Sequence, residues 1–172
     1  MPDHGEAALT EQHGLMCLEV IAAEARHEPV VRRLLELYQH DFSEFDDNDV
    51  DDDGEYGYER LPDYWTDPDR HPLLFRVDGR WAGFALVRLG APHDMAEFFV
   101  MRKYRRHGIG LAAARAVFAR FPGAWQVRQL ETNPAATAFW SGCSLSVSMA
   151  HSVGPSPRIV LERSRVIGRR SP

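Results

Sequence analysis

Apolar and polar positions along the first half of the chain change their period several times. An apolar run over residues 15–22 predicts a first strand. Apolar side chains then recur at helical spacing over 28–45, behind an early proline, so we expect a helix with one buried stripe. Residues 71–89 predict a β-hairpin, because two apolar runs flank an Asp-Gly pair, the strongest two-residue hairpin signal. Gly83, inside the returning strand, indicates a bulge or a close approach of two backbones.

The second half of the chain continues this alternation of strands and helices. The predicted elements are, in order, a strand at 95–100, a helix at 111–121, a strand at 125–130, a helix at 133–142, and a hairpin of strands at 144–152 and 157–163. Strand, helix, three strands, helix, strand, helix and two strands is a mixed α/β order. We therefore expect one sheet with helices packed against it.

Length and composition fit one globular domain. The chain has 172 residues, of which 44% are hydrophobic and 26% are charged, as is usual for a protein with one sizeable core. Residues 1–13 are polar and carry no period, so we expect a flexible tail there. Residues 164–172 are basic and are expected to form a disordered tail. The predicted domain is 14–163.

Charge and cysteine content argue against several classes of protein. A net charge of −5 argues against general nucleic-acid binding, which needs a basic face. Two cysteines, Cys17 and Cys143, do not suggest a disulfide framework. No apolar run reaches membrane-spanning length, and the first residues lack the apolar stretch of a signal peptide. We expect a cytoplasmic protein that binds neither nucleic acid nor a membrane.

The most acidic segment of the chain is 44–60, where carboxylates are interleaved with aromatic residues. Carboxylates and aromatic faces attract amines by charge and by cation–π contact. If the segment covers an active site, it favours a cationic amine substrate, with Tyr56 and Tyr58 as substrate-binding candidates. A solvated surface loop is the alternative. The run 49–54 also resembles the start of a calcium loop, but the twelfth position is Arg60 where a bidentate Glu is needed.

An anion-binding turn is predicted at residues 100–111. Five basic side chains precede the helix and two glycines stand at its start: Arg102, Lys103, Arg105, Arg106 and His107, then Gly108 and Gly110. The first N–H groups of a helix have no intrahelical partners, and the helix dipole is positive there. Glycine lets a phosphate approach the backbone. We interpret this turn as a pyrophosphate cradle. The basic run is too short for an RNA-phosphate patch.

The run Arg105-Arg106-His107-Gly108-Ile109-Gly110 resembles the acetyl-CoA signature of the GNAT superfamily of N-acetyltransferases. The resemblance implies the GNAT fold: a central, mostly antiparallel sheet that splays between its fourth and fifth strands, flanked by helices, with acetyl-CoA in the splay. It also implies which residues bind the cofactor. These are Phe98 and Val100 on the fourth strand, Arg105, Arg106 and His107 in the turn, and Gly108, Ile109, Gly110 and Leu111 at the helix start.

A second stretch, 133–145, is similar to another GNAT motif. By resemblance Asn133 contacts the pantetheine arm, although an N-cap role alone also explains it. Trp140 stands where many members of the family have a Tyr that protonates the departing thiolate, which an indole cannot do. It could pack against the thioester end of the cofactor or simply in the core. Ser144-Leu145 departs from the family's Gly-Phe.

Glu97 is the notable charge in an apolar strand. Some GNAT enzymes carry a general-base carboxylate there, and a base would take the proton from the amine so that nitrogen can attack the thioester. A salt-bridged structural Glu is the alternative. Strand alternation places Glu97 and Phe99 on one face, and Ala96, Phe98 and Val100 on the other. His71 and His93 are further candidates for the base, and Cys143 reads as a small buried residue.

These features favour an acetyl-CoA-dependent N-acetyltransferase. It would move an acetyl group to a primary amine of a small, cationic molecule by direct transfer in a ternary complex. The alternative, motivated by Trp140, is a GNAT-fold module that binds acyl-CoA with little or no turnover. We expect no metal, and a homodimer is open because relatives often dimerise.

Overall fold

Six strands form one sheet in the order β1-β2-β3-β4-β5-β6. The computed structural model of the chain describes residues 16–150 and 159–164. The strands are β1 (Leu18–Ala22), β2 (Arg70–Val77), β3 (Arg80–Arg88), β4 (His93–Val100), β5 (Trp125–Leu130) and β6 (Ile159–Ser164). The helices are α1 (Glu28–Phe42), α2 (Ile109–Arg120) and α3 (Pro134–Ala150), with a 3-10 helix at Leu61–Trp65. The expected mixed sheet flanked by helices is confirmed.

The first four strands are antiparallel, and the predicted hairpin joins β2 to β3. Asp78 and Gly79 in its turn have φ of 50° and 74°, as the tight hairpin turn with two left-handed residues requires. The close approach predicted at Gly83 is also present, because a Cβ there would lie 2.0 Å from the Phe99 carbonyl oxygen on β4. Only glycine fits this spacing of the two backbones.

The sheet opens between β4 and β5. These two parallel strands pair only at their first residues, His93↔Trp125, Asp94↔Gln126 and Met95↔Val127. Beyond Met95 the strands diverge and leave a wedge beside the second half of β4. The splay implied by the family resemblance is therefore present.

One extra residue in β4 changes which side chains share a face. Leu86 on β3 pairs with Glu97, but the next residue, Val87, pairs with Met95, so Ala96 has no partner of its own. Such a bulge interrupts strand alternation. Ala96 accordingly packs on the side of the sheet that holds Phe99, not with Phe98 as strict alternation predicted. Asp94 and Glu97, three residues apart, lie on one face for the same reason.

Each face of the sheet has its own core. One core packs against α2 and α3 and includes Phe75, Val87, Val117 and Trp125, all fully buried. The other packs against α1 and the 3-10 helix and includes Leu35, Leu61, Phe84 and Leu86. Glu97 belongs to the face that α1 covers.

The predicted hairpin of 144–152 and 157–163 is wrong. Helix α3 continues through Ala150, so residues 144–150 are helical, and β6 pairs with β5 in parallel. The alternating Ser and apolar residues of 144–150 mimic strand period, but no proline stands between Gly142 and Ala150 to stop the helix. A helical crossover then makes a parallel pair natural. Residues 1–15, 151–158 and 165–172, and with them the predicted tail at 1–13, lie outside the described residues. Ser164 ends β6 instead of starting a tail.

Candidate active site

The start of α2 is open to a ligand. Gly108 precedes the helix with φ of 75°, and the first intrahelical bond runs from the Ala112 N–H to the Gly108 oxygen at 3.0 Å. The N–H groups of Ile109, Gly110 and Leu111 therefore have no intrahelical partner. A Cβ built at Gly108 would meet no atom within 4 Å. Among the described residues, the space beside Gly108 is therefore open at the helix tip, as an anion site requires. The second glycine differs, because a Cβ at Gly110 would lie 3.2 Å from the Phe139 ring, so Gly110 serves a close contact with α3.

Arg105 is occupied inside the turn. Its Nε donates to the Val100 carbonyl oxygen at 2.7 Å, and its Nη2 donates to Asp41 Oδ2 at 2.5 Å. Arg102 binds the other oxygen of the same carboxylate at 2.8 Å. Burial alone would raise the pKa of Asp41, but the hydrogen bonds and charges of the two arginines outweigh it and lower that pKa. Arg105 therefore holds the turn in shape, while Arg106 and His107 stay exposed.

The backbone groups of Phe98 and Val100 face the wedge. The Met101 N–H donates to the Ala82 oxygen on β3 at 2.8 Å. Since alternate residues of an antiparallel pair point their groups to opposite sides, those of Val100 and Phe98 point away from β3. The bond from Arg105 to the Val100 oxygen fits this direction.

Asn133 and Trp140 have structural partners in α3. Asn133 Oδ1 accepts the Ala136 N–H at 2.9 Å and so caps the helix. The Trp140 ring is 6% exposed and lies edge-on to Phe98, with ring centroids 5.1 Å apart. Trp140 thus lies beside Phe98 on β4, and Asn133 follows the end of β5. Burial raises the pKa of the Cys143 thiol to about 11, which argues against a thiolate nucleophile there.

Glu97 lies in a cluster of tyrosine hydroxyls on the α1 face. The Tyr58 hydroxyl donates to Glu97 Oε1 at 3.0 Å, and the Tyr38 hydroxyl also hydrogen-bonds this carboxylate. Burial raises the pKa of Glu97, although these two bonds and the charge of Arg128 oppose the shift. A carboxylate with a raised pKa is better matched to accepting a proton near neutral pH. Tyr38 escaped the sequence analysis, because it reads there only as part of a helical stripe.

The comparisons with known proteins now decide the family. A model described as the acetyltransferase (GNAT) family matches residues 31–143, more than half of the chain. The chain belongs to the GNAT family. A search of curated proteins found no match.

Solved structures share the GNAT fold at low sequence identity. An aminoglycoside acetyltransferase from an uncultured soil metagenomic sample has a TM-score of 0.58 at 14% identity, covering 73% of this chain and 86% of that one. A GNAT acetyltransferase from Staphylococcus aureus has a TM-score of 0.57 at 13% identity, covering 74% and 84%. A possible acetyltransferase from Clostridium difficile has a TM-score of 0.58 at 11% identity, covering 84% and 97%. Likeness at this level shows the fold alone.

The acidic segment of this GNAT protein packs along α1. Glu36 accepts the N–H groups of Tyr56 at 2.8 Å and Gly57 at 3.0 Å. The Thr132 hydroxyl, in the loop after β5, donates to the Phe45 oxygen at 3.1 Å. The segment therefore borders the Glu97 cluster and reaches across to the far side of the wedge.

The two tyrosines that were predicted to bind substrate, Tyr56 and Tyr58, lie in different surroundings. Tyr58 reaches Glu97, whereas the Tyr56 hydroxyl lies 3.3 Å from Ser43 Oγ near the end of α1. In the calcium-like run, Asp51 Oδ1 accepts the N–H groups of Asp53 and Glu55 and closes a turn. Within residues 16–150 and 159–164, no group of three or more His, Cys, Asp or Glu side chains could hold a metal ion.

Both candidate histidines have structural partners at the far end of β4. His93 accepts the Gly90 N–H through Nδ1 at 3.1 Å, and its Nε2 lies 3.1 Å from the Pro122 oxygen. The His71 ring packs on Phe121 with centroids 5.0 Å apart. Neither is part of the Glu97 cluster as the contacts define it. Among the described helices, none is long and apolar enough to span a bilayer.

A cavity of about 410 Å³ lies beside the paired ends of β4 and β5. Its lining includes three arginines and three aspartates, namely Arg70, Arg88, Arg128, Asp67, Asp69 and Asp94. The Nη2 atoms of Arg88 and Arg128 both bind Asp94 Oδ2. The charges of Arg128 and Asp94 act on the pKa of Glu97, so the cavity is electrostatically coupled to the tyrosine cluster. The sequence analysis did not identify these residues, because they come together only through the pairing of distant strands.

Proposed function

We propose that this GNAT protein is an acetyl-CoA-dependent N-acetyltransferase whose acceptor is a primary amine on a small, cationic molecule. The observation that carries the proposal is the open helix tip at Gly108 beside the wedge, with a partly buried carboxylate on the same strand. Anion site, strand edge and candidate base thus follow one another along β4 and the turn after it.

The residues present fit acetyl-CoA. The free N–H groups of Ile109, Gly110 and Leu111 would hold the pyrophosphate, with Arg106 and His107 adding positive charge. The wedge-facing backbone of Phe98 and Val100 would pair with the pantetheine arm. When bound, acetyl-CoA supplies an acetyl group activated as a thioester.

Glu97 serves as the general base in this proposal. An ammonium ion must lose a proton before its nitrogen can attack, and Glu97 accepts that proton. The new C–N bond then forms as the C–S bond breaks, without a covalent intermediate on the protein. The Trp140 indole is a donor only and a very weak acid, so water or another group protonates the thiolate. Burial of Cys143 fits direct transfer, because no activated thiol is at hand.

The acidic segment supports a cationic acceptor. Its carboxylates at Asp47, Asp49 and Asp53 are exposed, and the segment borders the cluster around Glu97. A negative rim raises the local concentration of cations near the site.

Calorimetry with acetyl-CoA tests the cradle with a matched pair of variants. Gly108 and Gly79 have φ of 75° and 74°, and a Cβ at either meets nothing within 4 Å. Gly108→Trp and Gly79→Trp therefore impose the same backbone strain, but only the first places a side chain over the helix tip. We expect Gly108→Trp to weaken acetyl-CoA binding by at least about 100-fold, the scale of losing several charge-assisted hydrogen bonds. Equal binding by both variants, or no binding by the wild type, refutes the cradle.

The second candidate is an acyl-CoA-binding module without turnover, favoured by the burial of Trp140 where an acid is expected. Thiol release across an amine panel separates the two. An enzyme loses about 10²- to 10⁴-fold of kcat in Glu97→Gln while acetyl-CoA affinity is kept. Binding without thiol release on any amine supports the module instead.

A further inference from the structure

Two arginines of neighbouring strands share one buried carboxylate. Asp94 is 9% exposed and accepts Nη2 of both Arg88 on β3 and Arg128 on β5 at the same oxygen, Oδ2. The two guanidinium groups therefore lie side by side at the wall of the 410 Å³ cavity. Their side chains are 38% and 46% exposed, so a ligand in the cavity can reach them.

The pairing of the strands places these arginines on the same face of the sheet as the candidate base. Arg88 is the register partner of Asp94, and Arg128 lies two residues beyond Gln126, the partner of Asp94 on β5. Residues in these positions share a face of the sheet. The bulge at Ala96 then brings Glu97 to the same face, which it would otherwise leave.

The charge on this wall of the cavity is not balanced. Two guanidinium groups against one carboxylate leave a net charge of one positive unit. The facing wall has the opposite excess, with Asp67 and Asp69 against Arg70, which pairs with Asp67 at 3.2 Å. Each guanidinium has five N–H donors, and the contact with Asp94 uses Nη2 alone. The wall thus retains donors and charge for an external anion.

We infer that Arg88 and Arg128 bind a carboxylate of the amine acceptor, while its amino group lies at Glu97. The inference rests on the proposed transfer to a primary amine, but it replaces a purely cationic acceptor by one that also carries a carboxylate. The acceptor is then a zwitterion: the acidic segment attracts its ammonium group and the arginines fix its other end. A planar guanidinium matches the geometry of a carboxylate. This region is an open depression in the surface, and its volume of about 410 Å³ falls within the range of small-ligand sites.

A structural ion pair is the competing explanation for the same contacts. In that explanation the arginines serve only to neutralise Asp94. One arginine would be enough for this, so the second arginine is left unexplained. A structural role predicts that removing Arg128 changes stability and affects all acceptors alike. A recognition role predicts a change in the ratio between acceptors, and this ratio is measured within each variant.

Three amines with the same four-carbon chain test the inference: 4-aminobutyrate, 4-amino-1-butanol and 1,4-diaminobutane. They end in an anion, a neutral group and a cation, respectively. For the wild type we expect kcat/KM for the carboxylate to exceed that for the alcohol and the diamine at least about tenfold, the scale of one hydrogen bond to a charged group. In Arg128→Gln the preference should fall below about threefold. The rates for all three amines can change together, because the charge of Arg128 also lowers the pKa of Glu97, so the ratio within each variant is the readout.

Two further variants complete the design. Arg128→Lys keeps the charge without the planar fork and should retain part of the preference. Arg33→Gln, on the exposed side of α1, removes an arginine outside the cavity and should leave the ratio unchanged. If acetyl-CoA does not bind, the proposed function itself fails. If it binds but the carboxylate is not preferred, or the preference survives in Arg128→Gln, only the present inference is overturned.

Discussion

Asp41 connects α1 to the turn that precedes α2, and its replacement by Asn should loosen both. The carboxylate binds Arg105 through Oδ2 at 2.5 Å and Arg102 through Oδ1 at 2.8 Å. Asp41 is one helical turn from Tyr38, which contacts Glu97. Losing the carboxylate charge frees Arg105 to leave the Val100 oxygen.

The exposure of the partners sets the size of the effect. Hydrogen bonds to charged groups contribute about 1.5–3 kcal/mol each, but solvent screens exposed pairs to about 0–1 kcal/mol. Arg102 is 71% exposed and Arg105 is 41% exposed, whereas Asp41 is only 17% exposed. We therefore assign most of the effect to Arg105 and expect Asp41→Asn to lower the free energy of unfolding by about 1–2 kcal/mol at pH 7.

The direction of the Asp41 pKa shift determines how the stabilisation depends on pH. The pKa of Asp41 is lower in the folded protein than in the unfolded chain. Its contribution is therefore complete above the unfolded pKa and is lost as pH falls through the folded pKa. The difference between wild type and Asp41→Asn should accordingly persist from pH 7 to about pH 5 and shrink below about pH 4.

Urea unfolding of Asp41→Asn, Arg105→Gln and the double variant measures the coupling energy of the pair. Asp47→Asn, at an exposed position of the acidic segment, is the control for the loss of one negative charge. The reasoning is refuted if the coupling energy is below about 0.3 kcal/mol, the usual error of additivity. It is also refuted if Asp47→Asn destabilises the protein equally.

Two further variants test the site and the sheet. Tyr58→Phe removes a hydrogen bond that lowers the pKa of Glu97, so the acid limb of the profile of kcat/KM against pH should move to higher pH; a shift to lower pH would contradict the assignment. Gly83→Ala places a Cβ 2.0 Å from the Phe99 oxygen, so urea unfolding should show a loss of about 3 kcal/mol or more. Gly142→Ala, in α3 with nothing within 4 Å, should instead stabilise the protein by up to about 1 kcal/mol, and an equal effect of both changes would show that the close approach does not matter.

Features that depend on neighbouring residues could be predicted from the sequence. The hairpin at Asp78-Gly79, the helix start at Gly108 and the cap at Asn133 each follow from local backbone chemistry. The splay between β4 and β5 followed from the family resemblance, whereas their parallel pairing was not predicted. A cytoplasmic location and a homodimer stay predictions, because no contact among the described residues bears on them.

Features that depend on distant parts of the chain could not be predicted. Asp41 and Arg105 are 64 positions apart, and the residues around each of them do not indicate that they pair. Arg88 and Arg128 come together only through the strand order. Helix α3 continues past Gly142 to Ala150. The sequence analysis missed this, because the local period of apolar residues is a weak guide to secondary structure. The bulge at Ala96 leaves no trace in composition, so the face shared by Asp94 and Glu97 was unforeseen.

The unpaired Ala96 determines which side chains of β4 lie on the same face of the sheet. Asp94 and Glu97 are three positions apart in sequence. They share a face of the strand only because a bulge between them interrupts the alternation of side chains. Deleting Ala96 would let every partner on β3 match again, and one of the acids would then turn through the sheet toward α2 and α3. Glu97 and Asp94 would then lie on opposite faces of the sheet, although each residue and each strand would still be there.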